Sequence, residues 1–165
     1  MLAFGHLGLT AAAFKTCSKL NTHEFRTTNY IFVFLGALLP DLIDKPSEFL
    51  LNFIFYGKVS VSGRLLAHTL VFSLIIILAG CIIFYRSQDP NMLILGIGSL
   101  IHIQLDLMWL FPSTYLYPFL GLDLPIVLQR SKLFAEYSFF FSTGFMLILE
   151  ALGIVILVKL IRSKV

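Results

Sequence analysis

The chain has 165 residues, of which 58% are apolar and only 13% charged, with a net charge of +3 and a mean hydropathy of +0.92. Soluble domains carry about 45–50% apolar and about 25% charged residues, so the soluble globular, disordered, collagen-like and coiled-coil classes are excluded. Cys17 and Cys81 make neither a disulfide framework nor a CxxC pair, and the basic residues form no block of the kind that binds nucleic acid. What remains is an all-α integral membrane bundle of about five transmembrane helices, folded as one membrane-embedded domain over residues 1–165.

Met1–Phe14 is an apolar run of 14 that opens a predicted helix over 2–20. The first basic residue, Lys15, follows this run instead of preceding it, so a secretory signal peptide is not expected. Thr27–Pro40 is a second run of 14 and predicts a helix over 28–44. At about 1.5 Å per residue each run covers roughly 21 Å, which is short for a lone span and sufficient if its polar end is buried in the bundle. Pro40 lacks an N–H and is expected to bend or end the second helix, and Lys45, preceding Pro46, is pushed toward an extended conformation. Phe49–Tyr56 is expected as a short interfacial helix.

Leu65–Tyr85 contains no Lys, Arg, Asp or Glu over 21 residues and predicts a third helix, 64–86. Asn91–Phe111, whose only ionisable residues are His102 and Asp106, predicts a fourth. The 112–133 connection holds Pro112, Pro118, Gly121 and Pro125 and reads as a structured loop. Tyr137–Val158, interrupted only by Glu150, predicts a fifth helix over 134–161. Trp109, Tyr115 and Tyr117 suit a membrane–water interface. With the N-terminus outside, the inner side holds Lys15, Lys19, Arg26, Arg86, Lys159, Arg162 and Lys164, against Lys45, Lys58, Arg64, Arg130 and Lys132 outside. The positive-inside rule therefore favours a cell-membrane, multi-pass protein with the N-terminus out and the C-terminus in the cytoplasm.

Ionisable groups inside spans are costly, and a functional role is their default reading. His6 lies at the start of the first helix, Asp41 and Asp44 at the end of the second, His68 near the start of the third, and His102 and Asp106 late in the fourth. In an antiparallel bundle these four ends share one side of the membrane. His102 and Asp106 are i, i+4, and Asp41 and Asp44 are i, i+3, so each pair shares a helix face. Three imidazoles and three carboxylates suit Zn first, with Mn, Fe or Ni as alternatives, and do not suit an oxygen-only Ca cage. Six donors match two ions about 3.5–4 Å apart, whose charge would offset the repulsion among the carboxylates.

Each residue alone also has a structural reading, as a hydrogen-bonded core histidine or an interfacial helix end. Arg64, four residues before His68, is expected on the same helix face, where a guanidinium would grip a phosphate or carboxylate. Lys45 is a second candidate for that role. Thr69 and Ser73 read as packing residues, His23 as solvated, and Glu150 as a structural group nearer the opposite side.

Gly5-His6-Leu7, Leu39-Pro40-Asp41-Leu42-Ile43-Asp44-Lys45-Pro46, Gly63-Arg64-Leu65-Leu66-Ala67-His68-Thr69, His102-Ile103-Gln104-Leu105-Asp106, and Tyr117-Pro118 with Gly121 occur in this order. The ordered set resembles the YdjM-like family of prokaryotic membrane-bound metal-dependent hydrolases. Two positions differ from many members. Asp41 and Asp44 are separated by two residues instead of one, and Gly63 stands where a further histidine is common. The pattern is also distantly similar to that of zinc-dependent phospholipase C enzymes, which implies phosphoester chemistry.

The expectation is a membrane metal-dependent hydrolase acting on an amphiphilic, lipid-like or phosphorylated substrate, with His6, Asp41, Asp44, His68, His102 and Asp106 as metal ligands. Arg64 and Lys45 would bind the substrate, Asp44 would act as base, and the 112–126 loop would cover the site. The alternative is a metal-ion transporter or a structural metal-binding membrane protein. Clustering of the polar groups toward one side and the lack of inverted repeats disfavour transport. The oligomeric state is left open.

Overall fold

The computed structural model describes residues 3–20, 29–54, 64–121 and 144–162, and every regular element among them is helical. In chain order these are α1 (Ala3–Leu20), α2 (Tyr30–Ile54), a 3-10 turn at Leu66–His68, α3 (Leu70–Ser87), α4 (Asn91–Leu105), a second 3-10 turn at Met108–Leu110, the single turn α5 (Pro112–Tyr115) and α6 (Phe145–Arg162). The long helices pack in the order α3–α4–α2–α1–α6. Expected residues 134–143 of the fifth helix, His23, and residues 55–63 and 122–133 lie outside the described residues.

Burial is inverted relative to a soluble domain. His6, Thr10, Asp44, His68, Ser73, Ser99, His102 and Glu150 are inside. Ile75, Leu78, Leu147 and Ile148 are each at least 60% exposed. Exposed apolar surface of that kind marks a membrane or protein contact face. Among the described helices only α3, with mean hydropathy 2.2, is both long and apolar enough to cross a membrane by those two properties. α4 is apolar and has only 15 residues, whereas α2 carries Asp41, Asp44, Lys45 and Glu48, and α6 carries Glu150, Lys159 and Arg162.

Three local expectations are corrected. Helix α2 does not stop near Pro40. It continues through Pro40 and Pro46 to Ile54, so Lys45 stays helical and residues 49–54 of the expected interfacial helix belong to α2. Each proline deprives one carbonyl of its donor, and neighbouring elements can satisfy such groups in a bundle. Next, α3 begins only at Leu70, where Thr69 is the N-cap and its Oγ1 accepts from Phe72 N at 3.2 Å. Arg64 and His68 therefore share no helix face. Finally, α4 ends at Leu105 instead of continuing to residue 111, because Leu107 adopts a left-handed φ of 56°. That conformation is costly for a side chain with a Cβ.

Glycines set the closest helix contacts. A Cβ on Gly8 would overlap the Gly153 carbonyl of α6, and one on Gly153 would meet Gly5 Cα at 2.6 Å. Helices α1 and α6 therefore run side by side, backbone against backbone, with Phe4 beside Glu150 and Ala12 beside Ile156. Gly36 of α2 and Gly98 of α4 make a second such crossing. Gly8→Ala is expected to lower the detergent unfolding midpoint, with a loss of about 1–3 kcal/mol for overpacking, while leaving helical content by circular dichroism unchanged. The apolar core of Ala11, Phe14, Val33, Ile94 and Leu160 lies among α1, α2, α4 and α6. It leaves the other end of the bundle to polar groups.

Candidate metal centre

Four elements deliver the polar residues to one place. The first turn of α1 brings His6, the middle of α2 brings Asp41 and Asp44, the 3-10 turn before α3 brings His68, and the end of α4 brings His102 and Asp106. All three histidines are fully buried, at 0% exposure.

Four donor atoms form a closed ring. His68 Nε2 lies 3.6 Å from Asp41 Oδ1 and 3.8 Å from Asp106 Oδ2, and His102 Nε2 lies 3.9 Å from each of the same two oxygens. Metal–nitrogen and metal–oxygen bonds of about 2.0–2.2 Å in a tetrahedral shell place donors roughly 3.3–3.6 Å apart. The ring is thus within a few tenths of an ångström of that spacing. His6 stands beside it, its ring stacked on His102 at 4.0 Å and its Nε2 3.1 Å from Asp106 Oδ1. That contact lacks hydrogen-bond alignment, since His6 Nε2 has no hydrogen-bond partner.

The Nε2 atoms of His6, His68 and His102 are all buried without hydrogen-bond partners. Such groups are expensive to bury, and three of them aimed at two carboxylates form a donor set suited to a borderline cation. Two triads, His6–His102–Asp106 and Asp41–His68–His102, each have their ligand atoms within 4.8 Å of one another. They share His102, whose Nδ1 donates to Ala37 O at 2.6 Å and leaves Nε2 alone for a metal. One lone pair serves one ion, so the two triads cannot both be filled with His102 as a ligand.

Asp44 is held by backbone amides and by His68. Its Oδ2 accepts from Leu65 N at 2.7 Å, His68 N at 3.1 Å and His68 Nδ1 at 2.8 Å, and its Oδ1 accepts from Ala67 N at 3.1 Å. The carboxylate is 1% exposed, with three donors on Oδ2 and one on Oδ1. Its service as a metal ligand or base would compete with these four bonds. Its work is to fold the chain before α3 and to hold His68 with Nε2 turned inward, as partners of metal-binding histidines do.

The two expected substrate cations face the carboxylates. Lys45 Nζ lies 2.6 Å from Asp41 Oδ2. Arg64 Nη2 lies 3.7 Å from Asp106 Oδ2, and its guanidinium sits 5.4 Å over the Phe111 ring. Both basic groups therefore stand at the outer edge of the donor ring. Tyr115 of α5, expected only as an interfacial anchor, accepts from Gln104 Nε2 at 2.7 Å and ties the 112–121 segment to the end of α4. Ala37 O as the partner of His102 was not read from the sequence, although Pro40, three residues on, marks the irregular part of α2.

A model of the YdjM inner membrane protein family matches residues 1–163 of the chain. No curated protein and no solved structure matches it.

Proposed function

The chain belongs to the YdjM inner membrane protein family, and on that premise we propose that it is a membrane-embedded metal-dependent hydrolase whose substrate is an anionic amphiphile, a lipid phosphoester by class. The observation that carries this reading is the set of three buried, unpartnered imidazole Nε2 atoms facing two carboxylates. Helices α1, α2, α3, α4 and α6 are its five spans, supported by the inverted burial. The Lys/Arg count supports the N-terminus outside, with the site on that side.

Asp41, His68, His102 and Asp106 would hold one divalent ion, with zinc first by donor chemistry. His6 with Asp106 Oδ1 marks a second position with two donors. A bound ion of this kind polarises a phosphoryl oxygen and activates water. The chain's own residues do the rest. Asp44 and Ala37 O fix the rings of His68 and His102. Lys45 engages the outer oxygen of Asp41 and leaves Oδ1 facing inward. Arg64, resting on Phe111 beside Asp106, is placed to grip an anionic headgroup.

The test is elemental analysis of the detergent-purified protein together with phosphate release from a phosphomonoester lipid, before and after metal stripping and readdition. Metal-dependent release supports the proposal. A metal-replete protein that turns over no phosphoester and instead moves the ion into vesicles overturns it. Arg64→Lys keeps the charge and loses the planar fork. It should retain full metal content and lose about 10–150-fold in kcat/KM, the equivalent of a charge-assisted contact of about 1.5–3 kcal/mol.

A further inference from the structure

Glu150 lies on α6, outside the donor ring, and is 7% exposed. A buried carboxylate in an apolar helix is costly unless it is paired. Its partners are backbone amides of another helix: Oε1 accepts from Phe4 N at 2.9 Å and Oε2 from Gly5 N at 3.0 Å. These N–H groups belong to the first turn of α1, which has no acceptors within its own helix, and the positive end of the helix dipole adds to the attraction. The expectation that Glu150 lies toward the opposite side is therefore corrected, because it sits beside the residue that precedes His6.

The contact has a geometric effect on His6. Successive residues of a helix are about 100° apart around its axis, so a one-residue slip of α1 would swing the imidazole out of the pocket. The close approach of α1 and α6 at Gly5, Gly8 and Gly153 brings the first turn of α1 within reach of the carboxylate. The bidentate carboxylate adds two directional bonds to that packing, both at the turn that carries His6. His6 also differs from its two partners. Nδ1 of His68 is held by Asp44 and Nδ1 of His102 by Ala37 O, whereas His6 Nδ1 has no hydrogen-bond partner. With no hydrogen bond on Nδ1, the His6 ring depends on its backbone position together with the stack on His102 and the contact with Asp106.

We propose that Glu150 is a positioning residue that holds His6 at the metal centre by fixing the first turn of α1. The inference rests on the metal-centre reading above. Its test uses the full-length protein in detergent with Co(II) as probe, reading the cobalt absorption spectrum and the dissociation constant by chelator competition. Glu150→Gln, which keeps one acceptor and turns an N–H donor toward an amide, should weaken cobalt binding by about 10–100-fold, the range for residues that orient ligands. Its spectrum should shift toward that of His6→Ala, and the double variant should bind no more weakly than His6→Ala alone. If Glu150→Gln does not fold by circular dichroism, Glu150→Asp, which withdraws the oxygens by one methylene, should show the same shift and the same non-additivity. A wild-type cobalt spectrum in the variant, or losses that simply add to those of His6→Ala, would overturn the role of Glu150 while leaving the metal centre standing. A wild-type protein that binds no cobalt would overturn both.

Discussion

Asp106→Asn is expected to purify folded and empty of metal. Among the described residues, Asp106 is the one carboxylate within 4 Å of all three imidazole Nε2 atoms, at 3.1 Å from His6, 3.8 Å from His68 and 3.9 Å from His102. Asparagine keeps the shape and removes the negative charge that an ion among these rings needs. Removing one partner from a buried charge set costs about 3–5 kcal/mol, so metal affinity should fall roughly 150- to 5,000-fold. Elemental analysis of wild type and variant after dialysis checks this. Equal metal content would move the ion away from Asp106 and leave the ring of four donors without support.

Asp44 carries the second large effect, and of a different kind. Asp44→Ala would orphan three backbone amides and an imidazole nitrogen, each costing about 1–3 kcal/mol. Against a typical total stability of about 5–15 kcal/mol, that variant should not accumulate as folded protein. Asp44→Asn keeps one oxygen for the three donors that converge on Oδ2 and turns an NH2 group toward Ala67 N. It should be destabilised by roughly 2–4 kcal/mol, the loss of charge-assisted bonds with one donor left unmet. Denaturant titration in detergent measures this directly. With metal in excess its kcat should stay near that of the wild type, because a residue that orients a ligand is compensated by occupancy, whereas loss of a general base would persist at saturation.

The contrast between these two aspartates marks what the sequence could reveal. An ionisable side chain in an apolar run stands out by composition, so His6, Asp41, His68, His102 and Asp106 were all legible, and helix order alone assigned them to one end. Asp44 was equally visible and its task was not. Whether a carboxylate faces an ion or a set of amides depends on a chain segment 21 to 24 residues away folding over it, and no local pattern encodes that approach. The spacing of Arg64 and His68 misled for a related reason. Their i, i+4 relation has meaning only on a helix, and Asp44 draws this stretch into a 3-10 turn instead. Pro40 was expected to bend or end α2, and Pro46 to draw Lys45 out of it, because the local cost of proline is real, yet the helix runs on through both. The helical class and the approximate places of the long helices followed from hydropathy. Their ends did not, since these depend on single caps such as Thr69 and on the turn at Leu107.

The uninterrupted run of α2 has a further consequence. Helices α1 and α3 begin, and α4 ends, near the level of the donor ring, whereas α2 continues for ten residues past Asp44, about 15 Å. Phe49, Leu50, Phe53 and Ile54 on this extension are all more than half exposed. Among the described residues, the apolar surface on the α2 flank therefore reaches further past the donor ring than α1, α3 and α4 do. A bilayer accommodates such hydrophobic mismatch by thickening locally or by letting the helix tilt, each at a fraction of a kcal/mol per ångström. In the five-span reading proposed above, either response would act on α2, which carries Asp41 and Asp44, and the acyl-chain length of the host lipid would become a mechanical input to a pocket whose histidines are fully buried.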